Sequence, residues 1–169
     1  MKTKYAFIDR DGTLIYEPTP KETKRGDIPY QIDAIKKLRI LPGVIDGLHK
    51  IIDTQYTLIM TSNQDGLGTT IYPQECFDTV QKQLVQIFKQ NGVSFETLLL
   101  CPHMPDDNCN CRKPKTKLFD NFLRNRDVDK ELSFVCGDRE SDRLLAKNLG
   151  LRFLQTETNQ KFTLENFKL

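Results

Sequence analysis

Two carboxylates, Asp9 and Asp11, stand one residue apart in Phe7-Ile8-Asp9-Arg10-Asp11-Gly12-Thr13, directly after the apolar run Tyr5-Ala6-Phe7-Ile8. An apolar run closed by a glycine turn reads as a short buried strand that delivers both acids to its carboxyl end, where open α/β sheets keep reactive groups. Acids so spaced can divide labour: one attacks as a nucleophile against a metal, the other moves a proton. An acidic turn is the plainer reading. Three more apolar runs lead to chemically able residues: 56–60 to Ser62 and Asn63, 95–100 to Cys101, and 133–136 to Gly137-Asp138. Lys113 opens the helical pattern through Leu118. Gathered on one rim, three carboxylates, a hydroxyl and an ammonium suit Mg²⁺ beside a phosphate group, the cation taking oxygen ligands and the lysine and hydroxyl taking phosphoryl oxygens. Singly, Ser62 reads as a turn cap, Lys113 as a surface lysine and Asp142 as a first-turn helix acid.

A second constellation lies in one loop. Cys101, His103, Cys109 and Cys111 place three thiols and an imidazole within eleven residues, flanked by Pro102, Pro105 and Pro114. Four such ligands satisfy tetrahedral Zn²⁺ and leave no open position, so the reading is a structural zinc. The loop finishes at Arg112-Lys113, so a metal there would fix the segment that delivers Lys113. Redox control by the same thiols is the alternative. Cys136 reads as core, and neither Cys76 nor His49 receives a role.

The elements that must position these groups alternate between strand and helix. Val44, Ile45, Leu48, Ile51 and Ile52 form one apolar stripe; Phe77, Val80, Leu84, Ile87 and Phe88 form another, opened by Pro73 and stopped by Gly92. Leu118, Phe119, Phe122 and Leu123 mark a third helix, and Leu144, Leu145 and Leu149 a fourth, closed by Gly150 before a short strand through Phe153. Such alternation predicts a parallel α/β sheet covered on both faces. The expected body is 1–155, with 156–169 a surface tail or docking peptide. At 169 residues, one domain with a proper core is expected. Net charge of +2 is too mild to argue for nucleic acid. The basic residues Lys21, Lys24, Arg25, Lys36, Lys37 and Arg39 read as a solvated face with weak steering of anions. No apolar segment approaches the ~20 residues needed to cross a bilayer. With no signal-peptide pattern at the N-terminus, a cytoplasmic chain with reduced or metal-bound thiols is expected.

The set Asp9-Arg-Asp11-Gly12-Thr13, Ser62, Lys113, and Gly137-Asp138 with Asp142 resembles the four motifs of the haloacid dehalogenase-like phosphohydrolases, in that family's order and across nearly the whole chain. The resemblance implies a Rossmann-like three-layer sandwich; no insertion after Asp11 or Ser62 is large enough for a separate cap domain. It implies that Asp9 attacks phosphorus to give an aspartyl-phosphate and that Asp11 serves as acid, then base. It implies Mg²⁺ held by Asp9, the Asp11 backbone carbonyl and Asp138, with Ser62, Asn63 and Lys113 on the phosphoryl oxygens and Arg112 and Asp142 in support.

Within that superfamily a zinc loop after the third strand marks the histidinol-phosphate and the heptose-bisphosphate phosphatases. Phe7–Ile15 with Glu17-Pro18, the stretch Asn63-Gln64-Asp65-Gly66-Leu67-Gly68-Thr69, and Cys101-Pro102-His103-Met104-Pro105 are more similar to the former. The implied reaction is hydrolysis of L-histidinol phosphate to L-histidinol and phosphate; a heptose 1,7-bisphosphate is the alternative substrate. Because the former substrate carries an imidazole and an amine, Glu17 and Asp65 are the candidate contacts to its cationic end. The resemblance also implies fusion or association with an imidazoleglycerol-phosphate dehydratase domain. Other readings are a DNA-end phosphatase, which needs a basic track, and a silent zinc-braced interaction module, which would have lost a catalytic acid. The loop 19–41 is longer and more basic than the resemblance predicts, and Ser62 stands where threonine is common.

Overall fold

The computed structural model describes residues 2–165 and 167–169; Met1 and Asn166, which fall in the expected body and tail, lie outside the described residues. Five parallel strands, β1 (Lys4–Asp9), β2 (Tyr56–Asn63), β3 (Thr97–Cys101), β4 (Phe134–Gly137) and β5 (Arg152–Gln155), line up in the order β3-β2-β1-β4-β5. Four helices connect or follow them: α1 (Val44–Asp53), α2 (Gln74–Gln90), α3 (Lys117–Leu123) and α4 (Glu140–Leu149).

The two-residue period of β1 sorts its apolar residues into two cores. Ala6 and Ile8 share one with Leu48 and Ile51 of α1 and Val80, Leu84 and Phe88 of α2. Tyr5 and Phe7 share the other with Phe119 of α3 and Leu145, Ala146 and Leu149 of α4. A continuous apolar run such as Tyr5-Ala6-Phe7-Ile8 is what a strand covered on both faces requires. The result is the α/β three-layer sandwich with a central parallel sheet.

The chain travels outward from β1 through β2 to β3, then returns to the other side of β1 as β4 and β5. That reversal opens a crevice at the carboxyl ends of β1 and β4, the position at which open α/β sheets take ligands. Register fixes which side chains meet there: Asp9 lies opposite Thr61 and Asn63 opposite Cys101.

Two expectations need correction. Pro73 sits one residue ahead of α2 as its N-cap rather than in the first turn. More important, the segment after β5 is no surface tail. Phe162 is buried, and the Phe162 N–H donates to the Pro42 carbonyl at 2.8 Å. Its ring lies so close over Gly47 that a Cβ there would meet Phe162 Cδ1 at 2.5 Å. Leu164, Phe167 and Leu169 pack on the same core. The sequence pattern hides this because a ridge of single aromatics in an irregular segment has no period to read.

Candidate active site

The loop after β1 turns at Gly12, whose φ of +79° and whose place beside Asp138 both exclude a side chain: a Cβ would sit 2.8 Å from Asp138 Oδ2. Around this turn the structure brings Asp9, Asp11, Ser62, Asn63 and Lys113 to one small pocket, with Arg139 and Ser141 completing its wall. Lys113 Nζ donates to Asp9 Oδ1 and, at 2.7 Å, to Asp142 Oδ1. All three are buried. Asp142 also accepts from the Arg139 backbone N–H at 3.2 Å, which ties the start of α4 to the lysine.

Electrostatics follow from burial. Loss of water pushes the Asp9 carboxyl well above the usual carboxylate range; Lys113 offsets part of that, and Asp142 and Asp138 add to it. For Lys113, burial works against the charge, but the two aspartates outweigh it and hold the ammonium above its ordinary value. One ammonium thus serves two carboxylates. Among the described residues, the side chain of Asp138 has the hydroxyls of Thr13 at 3.2 Å and Thr158 at 2.6 Å, and a distant Arg139 Nε at 3.9 Å. Asp9, Asp138 and Asp142 present oxygens within 4.8 Å of one another. Buried carboxylates with this surplus of negative charge fit a hard divalent cation.

Ser62, expected on the phosphoryl oxygens, here bonds Asp11. Ser62 Oγ donates to Asp11 Oδ2 at 3.0 Å, and Gln64 Nε2 reaches Asp11 Oδ2 at 2.5 Å and Ser62 Oγ at 2.6 Å. Arg10, fully buried, pairs with Asp11 Oδ1 at 2.5 Å and with Gln81 at 3.0 Å. The Asn63 amide is spent on the backbone of Lys113, accepting from its N–H at 3.0 Å and donating to its carbonyl at 3.3 Å. It positions the lysine. Arg10, Thr13 and Gln64 stand within motifs read from the sequence but carry no predicted contacts, and Thr158 and Arg139 escape sequence reading altogether. Arg10 alone had a signal, a charged residue flanked by Asp9 and Asp11 inside an otherwise buried strand end.

Outside the pocket lies a cleft of about 260 Å³ that shares Asp11, Asn63 and Arg139 with it. Glu17 and Asp65 line this cleft, but neither carboxylate is free. Both oxygens of Glu17 accept from Arg139 Nη2, at 2.6 and 2.5 Å, and Asp65 pairs with Arg112. Burial raises the Glu17 carboxyl above its ordinary value, Arg139 countering only part of this. Asn159 locks the backbone of Glu17 from both sides, at 2.8 and 2.9 Å, and its own N–H donates to the Gly12 carbonyl at 2.9 Å.

Cys101, His103, Cys109 and Cys111 converge, with sulfur and nitrogen atoms 3.1–3.6 Å apart in neighbouring pairs and all four within 4.8 Å. Tetrahedral ligands at ~2.3 Å from one ion have this mutual spacing. Burial pushes the Cys101 thiol up to about 12; at Cys109 burial is outweighed by the backbone N–H groups of Cys111 and Arg112, which bring it down to about 7. The loop is tied to the cleft: Arg112 also donates to the His103 carbonyl at 3.1 Å, and the Gln64 N–H to the Cys101 carbonyl at 2.8 Å.

A doubly wound parallel sheet carrying this carboxylate–lysine set at its switch point defines a haloacid dehalogenase-like phosphatase domain. Residues 4–160 match the family described as polynucleotide kinase 3 phosphatase, and the chain belongs to that family. It is 44% identical over 155 residues to the histidine biosynthesis bifunctional protein HisB of Buchnera aphidicola, covering 92% of this chain and 41% of that protein. To the protein of the same name from Actinobacillus pleuropneumoniae it is 47% identical over 149 residues, 88% of this chain and 39% of the other. The chain therefore spans about two fifths of the length of these relatives. The fold is also that of the D,D-heptose 1,7-bisphosphate phosphatase from B. bronchiseptica, solved with magnesium and phosphate: the TM-score is 0.78 at 24% identity, over 93% of this chain and 82% of that one. Among the described residues no helix is long and apolar enough to cross a membrane.

Proposed function

We propose that the chain hydrolyses L-histidinol phosphate to L-histidinol and phosphate through an aspartyl-phosphate on Asp9. The observation that carries this reading is one ammonium, Lys113, shared by Asp9 and Asp142 in a pocket that also holds Asp11. Asp9 and Asp138, with the Asp11 backbone carbonyl, would hold Mg²⁺, which when bound neutralises the carboxylate and the phosphate so that two anions can approach. Lys113 orients Asp9 and then takes up negative charge on the transferring phosphoryl group, with Ser62 and Asn63 beside it. Asp11, fixed by Arg10, Gln64 and Ser62, gives its proton to the departing alkoxide and takes one back from the water that attacks the intermediate. Glu17 and Asp65, each closed on an arginine, shape the cleft by setting the place of Arg139 and Arg112. Cys101, His103, Cys109 and Cys111 hold a structural Zn²⁺ that steadies the approach to Lys113.

The bifunctional relatives named for histidine biosynthesis support the substrate, and the share of their length that matches fits one of two activities. The other, in this reading, is an imidazoleglycerol-phosphate dehydratase domain, fused or associated. A cytoplasmic place agrees with five cysteines that form no disulfide among the described residues. The test is release of phosphate from L-histidinol phosphate, D-glycero-D-manno-heptose 1,7-bisphosphate and a 3′-phosphorylated oligonucleotide, with Mg²⁺ and with chelator. A preference for the first that vanishes on chelation is the expected result. A preference for either of the others defeats the substrate assignment.

A further inference from the structure

The outer cleft is built from three loops. Ile28, Pro29, Tyr30 and Gln31 come from the long segment after β1, Ile71 and Tyr72 from the turn after β2, and Met104 from the cysteine loop. Its rim is apolar and exposed: Ile28, Tyr30, Ile71 and Met104 are among the large hydrophobic side chains most open to solvent. Its polar groups are nearly all spent. Glu17 is taken by Arg139, Asp65 by Arg112, and Gln64 by Asp11 and Ser62.

Gln31 is the exception. It is 6% exposed, and its Nε2 donates to the Ile71 carbonyl at 3.2 Å, which settles which end of the amide faces which way. Its Oε1 is buried and has no partner among the described residues. The Tyr72 hydroxyl, donating to the Ile32 carbonyl at 2.8 Å, docks the same segment and keeps Gln31 from swinging out. A buried acceptor without a donor is costly unless a ligand supplies one.

We infer that Gln31 is the specificity-determining residue for the leaving group, its Oε1 accepting the ring N–H of the imidazole of L-histidinol phosphate. The inference rests on the substrate reading above and adds the atom that recognises it. A flat ring with one N–H matches the orphaned acceptor of a residue that lines an apolar-rimmed cleft. A sugar bisphosphate matches it poorly, since its many hydroxyls and second phosphate would meet Ile28, Ile71 and Met104. Sequence reading passed over Gln31 because it sits in the long segment to which no role was given.

The test compares kcat and KM of the wild-type protein, Gln31→Leu and Gln31→Glu on L-histidinol phosphate and on p-nitrophenyl phosphate, which has no N–H. Leucine removes the acceptor, and kcat/KM on L-histidinol phosphate should fall about 10- to 100-fold, mainly through KM, with p-nitrophenyl phosphate within about twofold. Glutamate loses the contact to Ile71 but keeps an acceptor, and should stay within about threefold on both substrates. The wild-type protein offers a check that needs no folded variant: at about pH 8, where the ring is neutral, a ring-N-methylated histidinol phosphate should lose as much as Gln31→Leu does. Equal turnover of the methylated and parent substrates overturns the inference, as does a Gln31→Leu protein that loses both substrates alike or neither. A wild-type protein that hydrolyses p-nitrophenyl phosphate but not L-histidinol phosphate overturns the substrate reading first, and this inference with it.

Discussion

Replacing Phe162 by alanine tests whether the segment after β5 is a strut of the domain. The ring is 3% exposed and joins the core of Val44, Leu48 and Ile51, over the bare Cα of Gly47. Removing a buried phenylalanine costs about 3–5 kcal/mol, part from lost transfer and part from the void left behind. The void cannot collapse here, because Gly47 has no side chain to move into it. With an unfolding entropy of about 2.1 cal/mol/K per residue, a domain of this size has about 0.35 kcal/mol/K, so the melting temperature should fall about 9–14 °C. Thermal unfolding followed by far-ultraviolet circular dichroism reads this directly. If the segment undocks as a unit, the loss is capped by its own docking energy, and deleting 156–169 should cost no more than Phe162→Ala. Undocking also frees Asn159 from Gly12 and Glu17 and Thr158 from Asp138, so kcat should fall well below the unfolding transition. A melting temperature within about 3 °C of wild type would refute the packing argument.

Asp9→Asn should reduce turnover by about a thousandfold or more while leaving the circular dichroism spectrum and melting temperature intact, since it removes a charge that burial disfavours and leaves Lys113 its partner Asp142. Extraction of zinc, or Cys109→Ser, should lower kcat/KM about tenfold or more with Mg²⁺ in excess, because the loop ending at Lys113 loosens; atomic absorption should give close to one zinc per chain before treatment and none after. Glu17→Gln should change the pH dependence of stability. The folded Glu17 carboxyl lies above its ordinary value near 4.5, so its contribution is fullest below that value and declines as pH rises through the raised one. Urea unfolding at a series of pH values should show that decline in wild type and its absence in the variant; parallel curves would contradict the burial of this acid.

The grouping at the sheet's rim was legible because a parallel sheet turns sequence order into spatial order: four apolar runs with polar residues at their carboxyl ends leave Asp9, Ser62, Cys101 and Asp138 few places to go. The cysteine–histidine cluster was legible for a different reason, since all four residues lie in one loop and spacing alone brings them together. What stayed hidden was the pairing of charges. Nothing in the chain says that Glu17 meets Arg139, 122 residues away, or that Asp65 meets Arg112, so two acids that looked free for a cationic substrate are already neutralised. Asn63 and Ser62 line the pocket, but with partners the sequence did not suggest, because a polar side chain at a crowded strand end bonds whichever backbone or carboxylate reaches it first.

That hidden pairing decides how charge is distributed across the site. Arg10 balances Asp11, Arg112 balances Asp65, and Arg139 chiefly balances Glu17, its Nε staying 3.9 Å from Asp138. Lys113 cannot balance both Asp9 and Asp142, and Asp138 has hydroxyls where it would need a cation. The unneutralised charge therefore falls at one spot, between Asp9 and Asp138, and the surrounding arginines are prevented from collapsing onto it by partners of their own. A divalent ion placed there would share Asp9 with Lys113 and meet Asp138 beside its hydroxyl partners. In the function proposed above, the phosphate group would be met by the same ammonium, Lys113, that is hydrogen-bonded to Asp9 and Asp142.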